Sequence, residues 1–154
     1  MELKKKYRSI VYKRRLTLPY GRALDCLTGD CPWPETQIGR EIGYAMDFYP
    51  DLEPRVFLSY ERDSWYAPES GLRITFDDAI RFRTADLTLL SDLWDTALLR
   101  PDQVLMELKA PGAIPLWMVR LLTEMGLYKT SFSKYGTAYQ ILLEQEYKGG
   151  KRYA

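Results

Sequence analysis

The first fifteen residues alternate with a period of two, which is typical of extended strands. The pattern predicts a strand over residues 2–7, a turn at Arg8-Ser9 and a second strand over residues 10–18. If the two strands pair, one sheet face collects several cations and a single carboxylate: Glu2, Lys4 and Lys6 from the first strand, Lys13 and Arg15 from the second. Like charges directly opposite each other destabilise a sheet. The face is therefore either a solvated basic edge that discourages strand addition or a wall that binds anions.

Further along the chain, apolar residues at helical spacing predict four helices, over residues 19–27, 35–49, 115–126 and 136–147. In the third of these helices, Met118, Leu121, Leu122 and Met125 follow the i, i+3, i+4, i+7 pattern. We expect this apolar stripe to pack in the core.

Three more strands are predicted, over residues 55–62, 72–77 and 104–109, with a loop over residues 63–71 between the first two. The strand 72–77 carries Arg73, Thr75 and Asp77 on one side and apolar residues on the other. This alternation is compatible with an ordinary antiparallel strand that has one face in water, or with the wall of a polar cavity. Residues 79–100, which include Trp94, give no clear pattern and could hold short strands or a helix.

Composition narrows the class of protein. The 154 residues suit one domain, expected over residues 1–147, followed by a polar tail over 148–154. The net charge of +1 argues against a general nucleic-acid binder, although residues 1–22 hold eight Lys/Arg against one Glu. No apolar run reaches the length of a membrane span and no signal peptide opens the chain, so we expect a cytoplasmic protein.

Histidine and cysteine usage restricts the chemistry. The chain has no histidine, which excludes Ser-His-Asp and Cys-His catalysis and His-based metal sites. Its two cysteines, Cys26 and Cys31, make neither a zinc site nor a disulfide scaffold, and we expect two reduced thiols.

The predicted strands each place charge on one face, and a twisted antiparallel sheet that curls around such a face makes a barrel with a charged lumen. The sequence thus predicts an α+β fold in which an antiparallel β-barrel, or tunnel, is flanked by helices. An excess of Lys and Arg in the lumen needs an anion, for which Arg offers forked contacts and Lys point charges. The carboxylates of Glu2, Asp77 and Glu107 would hold a divalent cation such as Mg²⁺ or Mn²⁺, which prefers oxygen ligands.

Five short segments resemble those of a known family, in the same order. They are Glu2-Leu-Lys4 with Lys13-Arg-Arg15, Ser59-Tyr-Glu-Arg62, Leu72-Arg-Ile-Thr-Phe-Asp77, Leu105-Met-Glu-Leu-Lys109 and Ser133-Lys-Tyr135. This order is similar to that of the VTC (vacuolar transporter chaperone) polyphosphate polymerase domain, a CYTH-like triphosphate tunnel metalloenzyme. The resemblance implies a β-tunnel that binds ATP and Mn²⁺ or Mg²⁺ and transfers the terminal phosphate of ATP to a growing polyphosphate chain.

Carried over to this chain, the resemblance implies roles for individual residues. The phosphate ligands expected to act in catalysis are Lys4, Lys13, Arg62, Arg73 and Lys134. Further substrate contacts are expected from Arg15, Tyr60 and Ser133, and metal binding from Glu107. Lys6 and Lys109 as substrate contacts, and Asp77 and Glu2 as metal ligands, rest on the alternation pattern.

The family's first strands have no counterpart before Glu2, so we expect the chain to cover the later two-thirds of the family domain, with an incomplete barrel. A second chain, or a homo-oligomer, could complete it. Two other functions stay open, namely a non-catalytic phosphate or polyphosphate binding module and a tunnel triphosphatase. The expected partners are ATP and polyphosphate, without nucleic acid or a membrane.

Overall fold

The computed structural model describes residues 1–8, 10–91 and 95–149. The chain forms two compact units, Met1–Glu53 and Pro54–Ala154, and the single domain expected over residues 1–147 stays a prediction. Trp94, Ser9 of the predicted turn and residues 150–154 of the predicted tail lie outside the described residues.

The first unit opens with the predicted hairpin. Strand β1, Glu2–Tyr7, pairs antiparallel with β2, Ile10–Arg15, and the register sets Lys4 opposite Lys13. Charged residues therefore share one face of the hairpin, as the alternation predicts. Strand β2 ends at Arg15, three residues before the predicted end at residue 18.

Two helices complete the first unit, and both confirm the predicted spacing. Helix α1, Tyr20–Thr28, ends where Gly29 takes a left-handed conformation with φ 85°. Helix α2, Gln37–Phe48, starts at Thr36, whose hydroxyl accepts a hydrogen bond from the Gly39 amide at 3.1 Å. The helix turns Ile42 and Ala45 into the core of the unit.

The second unit is built on a four-stranded antiparallel sheet. The strands are β3 Phe57–Ala67, β4 Leu72–Arg83, β5 Thr96–Ala97 and β6 Leu105–Lys109. Strand β4 is central, with β3 on one side and both β5 and β6 on the other. Helices α3, Leu116–Glu124, and α4, Lys134–Gly149, follow the sheet. The α+β class is confirmed, but no closed barrel is found among the described strands, so the tunnel remains a prediction.

Strands β3 and β4 are longer than the pattern predicts. The prediction of a loop over residues 63–71 is wrong for residues 63–67. Asp63, Ser64 and the next three residues continue β3 and pair with β4. Asp63 and Ser64, two of the polar residues that suggested a loop, lie on the edge strand β3 with exposed side chains. The reversal is confined to residues 68–71 and needs Gly71, whose φ is 64° and whose missing Cβ would approach Pro111 to 2.9 Å.

Strand β4 also runs past its predicted end through a β-bulge. The register sets Glu61 opposite Asp78 but Ser59 opposite Arg81, so β4 carries one extra residue there, next to Ala79 with φ 43°. The extra residue inverts the alternation of the strand beyond it. As a result the core cluster, formed by Ile80, Phe82, Leu98 and Ala138, lies on the face of the sheet that also carries Asp77.

Helix α3 corrects another expectation. Met118 is buried, but Leu121 and Met125 of the same predicted stripe are 43% and 63% exposed. The apolar spacing predicted the helix correctly, but the expected burial of Leu121 and Met125 is wrong. Among the described residues, no helix has both the length and the apolar character required to cross a membrane.

Candidate functional site

The polar face of the four-stranded sheet gathers charged residues from three strands. Residues directly opposite each other in antiparallel strands project to the same face. Strand β4 presents Arg73, Thr75 and Asp77 on this face, opposite Tyr66, Ser64 and Arg62 of β3 and opposite Lys109, Glu107 and Leu105 of β6. One surface, which we call the polar face, is thereby lined by charged residues up to 47 positions apart in the sequence. They include Arg62, Arg73, Glu107 and Lys109.

Asp77 lies at the centre of an ion-pair cluster on the polar face. Its side chain has no exposed surface. Arg62 donates from Nε to Oδ1 at 2.5 Å and from Nη2 to Oδ2 at 2.7 Å, and Lys134 Nζ also donates to Oδ2. The hydrogen bond from Arg62, followed by that from Lys134, holds the pKa of Asp77 below its ordinary value. The same contact raises the pKa of Arg62.

Tyr60 completes this cluster from β3. Its ring lies 5.0 Å from the Arg62 guanidinium carbon and 4.6 Å from Lys134 Nζ. Both distances fall within the range of cation–π attraction. Two cations from distant parts of the chain are therefore held by one carboxylate and one aromatic ring.

Lys134 reaches the cluster because α4 starts beside Asp77. Ser133 precedes the helix, and its Oγ accepts a hydrogen bond from the Gly136 amide at 3.1 Å. A cation in the first turn of a helix is disfavoured by the helix dipole, and the Asp77 carboxylate offsets that cost. Ser133, which was expected to contact substrate, thus has a capping role in the structure.

Glu107 lies on the polar face beside Lys109. Their side chains are 44% and 58% exposed and approach to 2.9 Å. The hydrogen bond from Lys109 lowers the pKa of Glu107 most, and the positive charges of Arg62 and Lys134 lower it further. Between Glu107 and Ser64, the Thr75 hydroxyl is buried and has no hydrogen-bond partner.

The other end of the polar face opens into a cavity of about 410 Å³. Its lining is partly basic and consists of Tyr66, Gly71, Arg73, Lys109, Ala110 and Pro111. Arg73 and Lys109 lie directly opposite each other in the β4–β6 register. Two adjacent cations at a cavity favour an anionic ligand.

The polar face can hold a metal ion in an arrangement that keeps Glu107 of the predicted site but not Asp77. Both carboxylate oxygens of Asp77 are engaged by Arg62 and Lys134, so this side chain serves cations of the protein itself. Glu107 is exposed and can offer a carboxylate oxygen. Across the described residues, no group of three or more His, Cys, Asp and Glu side chains could hold a metal ion. Mg²⁺ is often held by one or two carboxylates together with substrate phosphates, and Glu107 fits that mode.

The charged face of the hairpin belongs to the first unit. Glu2 accepts a hydrogen bond from Arg15 Nη2 at 3.0 Å and lies 3.7 Å from Lys13 Nζ. Arg15 is the main cause of the lowered pKa of Glu2. Glu2, proposed from the sequence as a metal ligand, thus pairs with cations of its own hairpin. Lys6 lies opposite Val11, and its side chain is outside what the structure describes.

Sequence reasoning missed a buried ion pair in the segment that it left unassigned. Arg83 Nη1 donates to Asp95 Oδ1 at 3.0 Å, and both side chains are more than nine-tenths buried. The Arg83 guanidinium carbon also lies 3.6 Å from the centre of the Phe57 ring. Because the bulge inverts the alternation before Arg83, no periodic signal in the sequence could reveal this contact.

Comparison with known protein families shows to which family the chain belongs. The model of the VTC domain matches residues 1–143. No curated protein and no solved structure matches the chain. The family match spans far more than half of the sequence and includes every segment that carries the polar face. The chain therefore belongs to the VTC-domain family, which is related to polyphosphate polymerases.

Proposed function

We propose that this chain is a polyphosphate polymerase domain that transfers the terminal phosphate of ATP to a growing polyphosphate chain. The observation that carries the proposal is the convergence of Arg62 and Lys134 on Asp77, on the face that also presents Arg73 and Lys109. This arrangement offers fixed cations to a chain of phosphates without a glycine-rich loop.

The spacing of the cations suits an extended anion. Arg73 and Asp77 are four residues apart on β4, which corresponds to about 13 Å along the strand. A row of this length, with Arg73 and Lys109 at one end and Arg62 and Lys134 at the other, matches several consecutive phosphates better than a single one.

Asp77 leaves both cations able to bind phosphate. Arg62 uses two of its five N–H donors on Asp77, and Lys134 uses one of three. Their side chains keep 35% and 17% of their surface exposed. Asp77 therefore orients the two cations in advance, which lowers the entropic cost of ordering them on a substrate.

The divalent cation in this proposal is Mn²⁺ or Mg²⁺, and Glu107 would be the residue of the polar face that holds it. This cation would supply positive charge to the transferring phosphoryl group. Arg62, Arg73, Lys109 and Lys134 bind and orient the phosphates and stabilise charge that develops on them. The acceptor is a terminal oxygen of polyphosphate, so no side chain of the protein needs to act as a nucleophile.

A non-catalytic polyphosphate-binding module is the second candidate. It is favoured by the pairing of Glu107 with Lys109, since a carboxylate that neutralises a lysine is less free for a metal. Both candidates use the same cations and differ in whether Glu107 recruits a metal.

Incubation of the protein with ATP and Mn²⁺ tests the proposal. Long phosphate chains support a polymerase, inorganic phosphate alone indicates a triphosphatase, and binding without turnover indicates a binding module. Glu107→Gln should abolish metal-dependent turnover. Without metal, the variant should bind polyphosphate up to about fivefold more tightly, because it removes a negative charge that repels the phosphates. An interaction between exposed charges changes the free energy of binding by up to about 1 kcal/mol.

Glu124→Gln is the matched control, because Glu124 is an exposed carboxylate on α3 and outside the polar face. It should leave both turnover and affinity unchanged. Retention of turnover by Glu107→Gln would contradict the role given to Glu107. Affinity for polyphosphate should fall steeply as salt is raised, and an affinity indifferent to salt would contradict binding by the cations.

A further inference from the structure

The two cysteines of the chain lie side by side in the first unit. Cys26 belongs to the last turns of α1, and Cys31 follows the end of the helix. Their sulfur atoms are 3.0 Å apart, and both are free thiols. A disulfide bond is about 2.05 Å long, so a shift of about 1 Å would join the two sulfurs.

The backbone between them fixes this proximity. Gly29 turns the chain with its positive φ, and the amides of Asp30 and Cys31 both donate to the Asp25 carbonyl, at 2.8 and 3.2 Å. These bonds fold the chain back along the end of α1. The helix end therefore brings the two residues together, and their side-chain rotamers place the sulfurs 3.0 Å apart.

No strong contact competes for either sulfur among those that the structure describes. Cys26 Sγ lies 3.6 Å from the Pro32 carbonyl oxygen, and Cys31 Sγ lies 3.9 Å from the Arg22 carbonyl oxygen. Such long contacts of a thiol are weak. Closing a disulfide would therefore give up little of the existing structure.

The two thiols differ in access to solvent. Cys26 is 4% exposed, whereas Cys31 is partly exposed. A reagent in solution can reach Cys31, while Cys26 can react readily only with a sulfur that is already inside the protein. This asymmetry is the arrangement of an attacking thiol and a resolving thiol.

We propose that Cys26 and Cys31 are a reversible dithiol–disulfide pair, oxidised by a small-molecule disulfide. The Cys31 thiolate attacks one sulfur of that disulfide, forms a mixed disulfide and expels one thiolate. The Cys26 thiolate then attacks Cys31 Sγ, forms the Cys26–Cys31 bond and expels the second thiolate. The protein loses two protons and two electrons, and the small disulfide is reduced to two thiols. The proposal stands independently of the function of the polar face.

Oxidised glutathione is the probe for this reaction. After incubation, the whole chain should lose both titratable thiols, and its intact mass should fall by two hydrogen atoms. Because the chain has only two cysteines, these readouts identify the bond without peptide mapping. Dithiothreitol should restore both thiols. Equilibration in mixtures of reduced and oxidised glutathione should give an effective concentration of one thiol toward the other on the order of millimolar or higher.

Two variants separate the roles of the thiols. Cys26→Ser should accumulate a stable mixed disulfide of Cys31 with glutathione, because the resolving thiol is absent. Cys31→Ser should react many times more slowly than Cys26→Ser, because Cys26 is buried. Equal rates for the two variants would contradict the assignment of roles.

The wild-type protein decides the proposal even if a variant fails to fold. Two thiols that stay free in oxidised glutathione would overturn it. A lasting glutathione adduct on the wild-type chain, or a disulfide-linked dimer in place of the internal bond, would also overturn it.

Discussion

Lys134 and Asp77, which are 57 positions apart in the sequence, form an ion pair where helix α4 begins beside strand β4. The carboxylate is fully buried and also receives two hydrogen bonds from Arg62. One acidic residue therefore joins β3, β4 and α4 on the polar face. It is a structural centre for two cations that we propose as phosphate ligands.

Removing the charge of Asp77 should destabilise the second unit. In Asp77→Asn, Arg62 and Lys134 lose their counterion while the shape of the side chain is kept. Loss of one partner from a fully buried pair costs about 3–5 kcal/mol, and we expect about 2–3 kcal/mol because Arg62 is partly exposed. Chemical denaturation measures this difference.

Asp102→Asn is the control for Asp77→Asn, since Asp102 pairs with Arg100 at the surface, where both side chains are 72% exposed. It should change the free energy of unfolding by less than about 1 kcal/mol. Equal losses in the two variants would mean that Asp77 has no special structural role.

Stability should also depend on pH through Asp77. Its pKa is lower in the folded protein than in the unfolded chain, so its contribution is present above the unfolded value of about 4. The contribution is lost as the pH falls through the lower, folded pKa. Denaturation midpoints measured from pH 7 down to pH 2 should fall more steeply for the wild type than for Asp77→Asn. Parallel curves would contradict this linkage.

The hairpin offers a test of whether its basic face serves a ligand. Lys4 lies opposite Lys13, and Lys4→Gln removes this repulsion, so stability should rise by a few tenths of a kcal/mol. If the face binds phosphate, polyphosphate affinity should fall at the same time. Lys5→Gln makes the same charge change on the opposite face and should leave affinity unchanged. Equal affinities of Lys4→Gln and the wild type would favour a solvated edge.

Oxidation of the cysteine pair should stabilise the first unit. A bond from Cys26 to Cys31 closes a loop of six residues, which corresponds to about 2 kcal/mol in the chain-entropy description of disulfides. The denaturant midpoint of the oxidised protein should therefore exceed that of the reduced protein. Cys26→Ser supplies the control, because this variant cannot form the internal bond and should not gain the stabilisation that the bond gives. A lower midpoint after oxidation would indicate a strained bond.

Local patterns in the sequence were sufficient for the hairpin, the four helices and the polar side of β4. Charges at alternate positions identified the shared face of Lys4 and Lys13, and the register confirms it. Likewise, Arg73, Thr75 and Asp77 share the polar face with Glu107. These features depend on the periods of two and 3.6 residues, which are properties of the backbone and can be read without knowing what packs against it.

Other features arise only when distant segments meet. The extra residue beside Ala79 turns Ile80 toward the core, and the alternation of polar and apolar residues does not predict this bulge. Asp77 fitted a metal site by its residue type, yet in the folded chain Lys134 and Arg62 occupy its oxygens. The sequence by itself thus determined which residues share a face of the hairpin and of β4 before the bulge. Which partners those residues meet was decided by tertiary structure, because ion pairs and burial depend on the arrangement of whole elements in space.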